Sequence, residues 1–261
     1  MQQVHCARIA YPQYNRRLLK RSGHISQQVR TIFNSFFCLL LFIFLLIACA
    51  GPAPSKQLQL QVPPAARITY VAIGASDTFG TGTADPATQC WPVDLATSLG
   101  PQVRLINLGI PGINAHDALN IELPVALDEH PTLITVWLAV NDLVDKVPLD
   151  SYQRDLNSVV QRLHSANLKA RIVVANVPDL TFLPRFKNNN VQELHQTIAA
   201  YNNVISSVVQ HNHVILVDLY QNWQTLAEHP EYISQDGLHP NAIGYAQVAE
   251  IFYHTLQIQK T

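Results

Sequence analysis

Beyond residue 66 the chain alternates between two hydrophobic rhythms. Short runs of β-branched and small apolar residues at 68–73, 103–108, 133–140, 171–177 and 214–219 read as buried strands. Helix-length stretches follow them at 92–99, 115–127, 149–166, 191–210 and 241–257. In the run from Tyr152 to Leu163 the apolar residues recur three and four apart, which gives a helix one buried face. Strands alternating with helices imply a parallel sheet covered on both sides. The fold class expected is therefore α/β, a three-layer α/β/α sandwich with a five-stranded parallel sheet. No internal repeat and no second core interrupts the pattern, so a single domain is expected over 67–261.

The polar residues that stand out fall just past the strand ends. The first strand stops at Gly74 and is followed at once by Ser76. The second leads into Gly109-Ile110-Pro111-Gly112 and the third into Asn141-Asp142. The fifth leads, after a short helix, into Asp236-Gly237-Leu238-His239-Pro240. An open parallel sheet gathers the carboxyl ends of its strands on one rim, so these sequence-distant groups can converge there. A serine hydroxyl becomes a nucleophile only when a neighbouring base takes its proton, and His239 is the candidate base. Asp236, with Gly237 letting the chain turn between them, can reach the other ring nitrogen and fix the tautomer. Acyl chemistry further needs donors for a developing oxyanion. The backbone amides of Ser76 and Gly109 and the side-chain amide of Asn141 are the candidates.

Taken singly, each of these residues has a plainer reading. Ser76 also fits a helix N-cap or turn, Gly109 a loop, Asn141 a cap, and residues 236–240 a surface turn. Their joint appearance, in this order and at strand ends, favours chemistry.

Composition narrows the classes. With 261 residues, a formal charge of -1 and 48% hydrophobic residues, the chain can bury a substantial core. Lys and Arg neither dominate nor cluster in the globular part, which argues against a nucleic-acid partner. His211 and His213 are the only close histidine pair. They lack a carboxylate or cysteine at ligand spacing, so a surface or capping role is expected and no metal site. Cys90 is the only cysteine past the amino-terminal fifth, so the domain has no internal disulfide to lean on and Cys90 reads as a packing residue.

The amino terminus reads as an address. Residues 36–48 are uninterruptedly apolar and follow Arg16, Arg17, Lys20, Arg21 and Arg30. The run is short for a bilayer span and suits a signal-peptide core. It ends in Leu46-Ile47-Ala48-Cys49, which resembles the lipobox of bacterial lipoproteins. That resemblance implies a leader over 1–48, cleavage before Cys49, and lipid on its thiol that holds the protein to the membrane of the cell envelope. A secreted protein and a single uncleaved amino-terminal anchor are the alternatives. Residues 49–66, rich in Pro, Ser and Gln, then form a semi-extended tether.

The domain resembles the SGNH (GDSL-type) hydrolases from Ile68 to Tyr253. The first block, Gly74-Ala75-Ser76-Asp77, departs from Gly-Asp-Ser-Leu at its second and fourth positions. The block Asn107-Leu108-Gly109-Ile110-Pro111-Gly112 fits, as does Asp236-Gly237-Leu238-His239-Pro240. Ala139-Val140-Asn141-Asp142 carries alanine where glycine is commoner. The resemblance implies a flavodoxin-like arrangement, with Ser76 as nucleophile, His239 as base and Asp236 as its orienting acid. It implies an oxyanion hole of Ser76, Gly109 and Asn141, and no metal or organic cofactor. The implied reaction is hydrolysis of a small-molecule, lipid or carbohydrate ester through an acyl-enzyme, in a monomer. An acyltransferase with the same triad and a catalytically silent surface-tethered binding protein are the alternatives. The α/β-hydrolase pattern Gly-x-Ser-x-Gly fails at Thr78. Asp77 is expected to hinder oxyanion formation unless it points to solvent or binds a backbone amide. The loop 176–187, with Phe182, Leu183 and Phe186, is expected to cover the site and line an apolar acyl pocket, or else to pack on the domain.

Overall fold

The computed structural model describes residues 68–222 and 228–258; the leader, Cys49 and the tether lie outside them. The strands are β1 (Ile68–Gly74), β2 (Val103–Asn107), β3 (Leu133–Trp137), β4 (Arg171–Ala175) and β5 (Ile215–Val217). They form one parallel sheet in the order β2-β1-β3-β4-β5, with Tyr70 of β1 opposite Leu105 of β2 and Leu133 of β3. The five-stranded parallel α/β architecture expected from the alternation is the one found.

Among the described residues the helices are α1 (Ser76–Phe79), α2 (Trp91–Leu99), α3 (Ala115–Asn120), α4 (Glu122–Asp128), α5 (Val140–Val144), α6 (Leu149–Ala166), α7 (Val191–Asn212), α8 (Leu219–Asn222) and α9 (Ala242–Ile258). None is long and apolar enough to cross a membrane. The chain runs from β1 out to β2, then reverses through β3, β4 and β5. Right-handed crossovers therefore put α2 on one face and α3, α4, α6 and α7 on the other. α9 returns to pack on α2. There Trp91 stacks on Phe252 with ring centroids 4.2 Å apart and meets Trp137 edge-on at 6.1 Å. Across the sheet Tyr152 and Tyr201 pack at 5.0 Å. Their hydroxyls clasp the β3–α6 connection: Tyr152 donates to Leu138 O at 3.0 Å, and Tyr201 donates to Val147 O at 2.6 Å with Asp142 O also 3.0 Å from its hydroxyl.

Three boundaries differ from the sequence reading, each for a local reason. The stretch 115–127 is two helices, because Pro124 has no N–H to bond back to Asn120 and its ring crowds that carbonyl. The stretch 214–219 keeps only three strand residues. His213 ends α7 just before it in a left-handed conformation (φ 52°), its N–H bonded to Gln210 O and Val209 O, which is the capping role expected of that histidine pair. The third strand stops at Trp137, and Val140 already belongs to α5.

The turn between them passes through Ala139 at φ 150°, a backbone region that suits glycine, with the residue only 4% exposed. Such strain costs about 1–3 kcal/mol. Glycine would relieve it while adding about 0.4–1 kcal/mol of unfolded-chain entropy. Ala139→Gly is therefore expected to stabilise the fold by about 1 kcal/mol, a rise of about 2–4 °C in Tm for a domain of this size. Calorimetry checks it; an unchanged or lower midpoint would show that the alanine methyl compensates by packing.

Candidate active site

β1 is buried from Tyr70 to Ile73 and is flanked by β2 and β3, so its carboxyl end is the point where the sheet order reverses. That is where an open α/β sheet leaves a crevice. Ser76 opens α1 there, so its own amide has no partner within that helix. The chain that meets it comes from the far end of the sequence. Ser234 N–H donates to His239 O at 2.8 Å and Asn241 N–H to Tyr232 O at 2.8 Å, closing residues 232–241 into a tight loop. Gly237 makes its turn at φ 72°, where a side chain would be strained. The Asn241 side chain then starts α9, accepting from the amides of Ile243 and Gly244 at 3.0 and 3.2 Å.

The two segments bring Ser76, His239 and Asp236 into one hydrogen-bonded row. His239 Nδ1 lies 2.6 Å from Asp236 Oδ2, and His239 Nε2 lies 2.9 Å from Ser76 Oγ. A carboxylate only accepts, so Nδ1 carries the ring proton and the Nε2 lone pair faces the serine hydroxyl. The other Asp236 oxygen accepts the amides of Leu238 and His239 at 2.8 and 2.9 Å. Partial burial by itself would push the Asp236 carboxyl up. The imidazole and the two amides more than reverse this and hold it well below the usual carboxylate range. Asp236 is therefore ionised at neutral pH.

The glycine and asparagine blocks reach the same rim through different contacts from those their residue types suggest. A Cβ on Gly109 would lie 2.4 Å from the Phe79 amide, so glycine is needed there for α1 to pack against the chain. The Gly109 amide is engaged by Asn107 Oδ1 at 3.0 Å, and Asn107 Nδ2 donates in turn to Thr78 O at 2.7 Å. Asn141 Nδ2 donates to Ile113 O at 2.7 Å, which leaves its second amide proton uncommitted to that bond. Its buried neighbour Asp142 receives the Ala115 amide on both oxygens at 3.1 and 3.2 Å. Burial pushes the Asp142 carboxyl up to about 6 despite that amide.

Asp77 points neither to open solvent nor at a backbone amide of another segment. It is half-buried, with Oδ1 3.5 Å from the hydroxyl of Tyr245. That hydroxyl has one proton and places it on Thr81 O at 2.7 Å. Burial raises the Asp77 pKa, against the pull of His239 and Tyr245. A neutral Asp77 can donate to the tyrosine oxygen; an ionised one faces its lone pairs. The loop after β4 does lie against the row, since Arg185 N–H donates to Gly237 O at 2.9 Å. Of its three apolar residues, Leu183 and Phe186 belong to the core at 4% and 9% exposure, while Phe182 is 59% exposed. Only Phe182 therefore has a face to offer a ligand. Among the described residues no three His, Cys, Asp or Glu side chains gather as metal ligands would.

Sequence reasoning missed Asn107 and Tyr245 as supports of the site. Asn107 stood in a matched block with no role attached, and Tyr245 fell inside the last helical stretch without being singled out.

Asp77→Asn keeps the shape and removes the ionisation. Because the folded pKa is raised, the unfolded chain loses its proton first, so wild-type stability falls as pH rises above the ordinary aspartate range. The Asn variant is expected to flatten that fall while activity stays within about threefold, since no proton transfer of the row passes through residue 77. Thermal midpoints measured across pH check this. A slope identical in the two proteins would count against a neutral Asp77.

Comparison with known proteins agrees with this geometry. The profile of the GDSL-like lipase/acylhydrolase family matches residues 72–247, well over half of the chain. No curated protein sequence matches it. Among solved structures, TesA is similar at 22% identity and a TM-score of 0.60, over 73% of this chain and 98% of that one. The lipase/acylhydrolase from Enterococcus faecalis is similar at 18% identity and 0.60, over 74% and 96%. The acetyl xylan esterase AlAXEase is similar at 21% identity and 0.60, over 72% and 100%. At such identities the likeness is one of fold. The family profile carries more: this chain belongs to the GDSL-like lipase/acylhydrolase family and is a serine ester hydrolase.

Proposed function

We propose that the protein cleaves carboxylic esters through an acyl-enzyme on Ser76. The observation that carries this is the unbroken row from Ser76 Oγ through His239 to Asp236, at 2.9 and 2.6 Å. Ser76 Oγ attacks the ester carbonyl as its proton passes to His239 Nε2, and Asp236 stabilises the imidazolium that forms. The oxyanion is received by the Ser76 amide and the second Asn141 amide proton. Gly109, its N–H already directed onto Asn107, contributes only as a shared donor. When the intermediate collapses, His239 returns the proton to the leaving alcohol. Water then attacks the acyl-enzyme with the same imidazole as base, releasing the carboxylic acid and restoring the Ser76 hydroxyl.

The acyl group is taken to lie along a shallow rim of Phe79, Ile110 and Phe182, each partly exposed and each on a segment that bears on the row. Such a rim suits short or surface-lying acyl groups better than a long chain that needs a tunnel. An acetyl ester of a sugar or another small alcohol fits that description, in keeping with an acetyl xylan esterase among the proteins of similar fold. The lipobox-like end of the leader supports a place in the bacterial envelope, with the domain tethered by lipid on Cys49.

Two experiments test this reading. The full-length chain and Ser76→Ala, assayed with short- and long-chain p-nitrophenyl esters, should differ by about 10⁴-fold or more in kcat, with the wild type preferring short chains. Equal rates would defeat the nucleophile assignment. For the anchor, Cys49→Ser expressed in a bacterial host should lose incorporation of labelled fatty acid; labelling that persists would defeat lipidation at Cys49.

A further inference from the structure

Two carboxyl side chains outside the row are buried as deeply as the core leucines; Asp142 holds the Ala115 amide, while Glu122 has no such bond. Glu122, the first residue of α4, is 1% exposed. Neither of its carboxyl oxygens reaches a protein partner in good hydrogen-bonding geometry, and the donor that it faces is the amide of Gly74. Burial pushes the carboxyl up to about 9, with the Gly74 amide pulling only weakly the other way, so at neutral pH it is a neutral acid. Burying a polar group with so little compensation lowers stability, and a leucine in its place would avoid that cost.

What Glu122 faces gives the cost a use. Gly74 ends β1, two residues before Ser76. Its carbonyl accepts the amide of Ile110 at 3.0 Å, the residue that follows Gly109. A Cβ on Gly74 would lie 2.2 Å from Thr78 Oγ1 and 2.7 Å from Trp137 O, so that side of the residue is closed by α1 and β3. The peptide around Gly74 is thus the node from which both Ser76 and Gly109 take their positions, and its amide is the side toward the Glu122 carboxyl. Thr78 Oγ1, pressed against the same glycine, is also buried without a partner. Two polar groups kept at such a point, where apolar packing would be more stable, mark a place held for geometry.

We propose that Glu122 is a positioning residue, whose carboxyl set against the Gly74 amide fixes the placement of the Ser76 hydroxyl relative to the Gly109 segment. It touches no substrate and acts through Gly74. The inference rests on Ser76 being the nucleophile and extends that reading to a residue none of the sequence blocks contains.

The test compares the full-length wild type, Glu122→Leu, Glu122→Gln and Ser76→Ala, measuring kcat and KM with p-nitrophenyl acetate and the thermal midpoint of each. Glu122→Leu, similar in size and without polar atoms, should melt at or above the wild-type temperature, yet lose about tenfold or more in kcat at unchanged KM. Glu122→Gln keeps an acceptor for the Gly74 amide and should hold kcat within about threefold. Wild-type kcat in the leucine variant overturns the proposal. So does a loss of kcat that tracks a lowered midpoint in either variant, which would assign Glu122 to packing. If Ser76→Ala stays active, the nucleophile reading fails and this inference with it. If Ser76→Ala is inactive while Glu122→Leu is fully active, only this inference fails.

Discussion

The hydrogen bond between Ser76 and His239 joins residues 163 positions apart, and it is the contact on which the molecule turns. It exists because β1 lies between β2 and β3, so the chain leaves its carboxyl end free and the loop before α9 falls across it. Neither partner could hold its position alone. The Trp91–Phe252 stack fixes α9 against α2, and with it the place where residues 232–241 arrive. On the other face, the hydroxyls of Tyr152 and Tyr201 hold the connection that carries Asn141. Aromatic packing on both sides of the sheet thus sets a distance at its edge.

The carboxyl groups around this contact are sorted by environment. Asp236 collects an imidazole and two amides and stays charged. Asp77 and Glu122 find little compensation and are driven toward the neutral form by burial. Asp236 is thus the acid held in its charged form in line with the serine, while burial raises the pKa of the other two. Separating the ionisation of nearby acids in this way is how a protein assigns them different duties.

Much of this was legible in the sequence, and the rest was hidden for identifiable reasons. Alternating rhythms announced the sheet, and the residues just past its strands, Ser76, Asp236 and His239, come together in space as their positions implied. The stop of β3 was invisible because Trp137, Leu138, Ala139 and Val140 are all apolar, and no glycine marks the turn. The need for glycine at 109 comes from a backbone some thirty positions away, which no local pattern encodes. Leu183 and Phe186 looked like pocket lining because aromatic and aliphatic residues in a loop carry no periodicity that would tell an inward face from an outward one. Glu122 was overlooked for the opposite reason: in an amphipathic stretch a charged residue is read as solvated, and only tertiary structure shows it buried.

The bond from Arg185 N–H to Gly237 O has a consequence for how such an enzyme can diversify. Pro184 and Arg185 rest directly on the turn between Asp236 and His239, with no room for even a methyl group at 237 without crowding Pro184. The loop that lies over the site is therefore also the outer wall of the proton-carrying turn. Lineages that lengthened or exchanged it to accept new substrates would have displaced the imidazole as well, so the stretch from Leu183 to Phe186 should be the conservative part of an otherwise variable loop, and novelty should accumulate at Phe182 and the residues beyond Phe186.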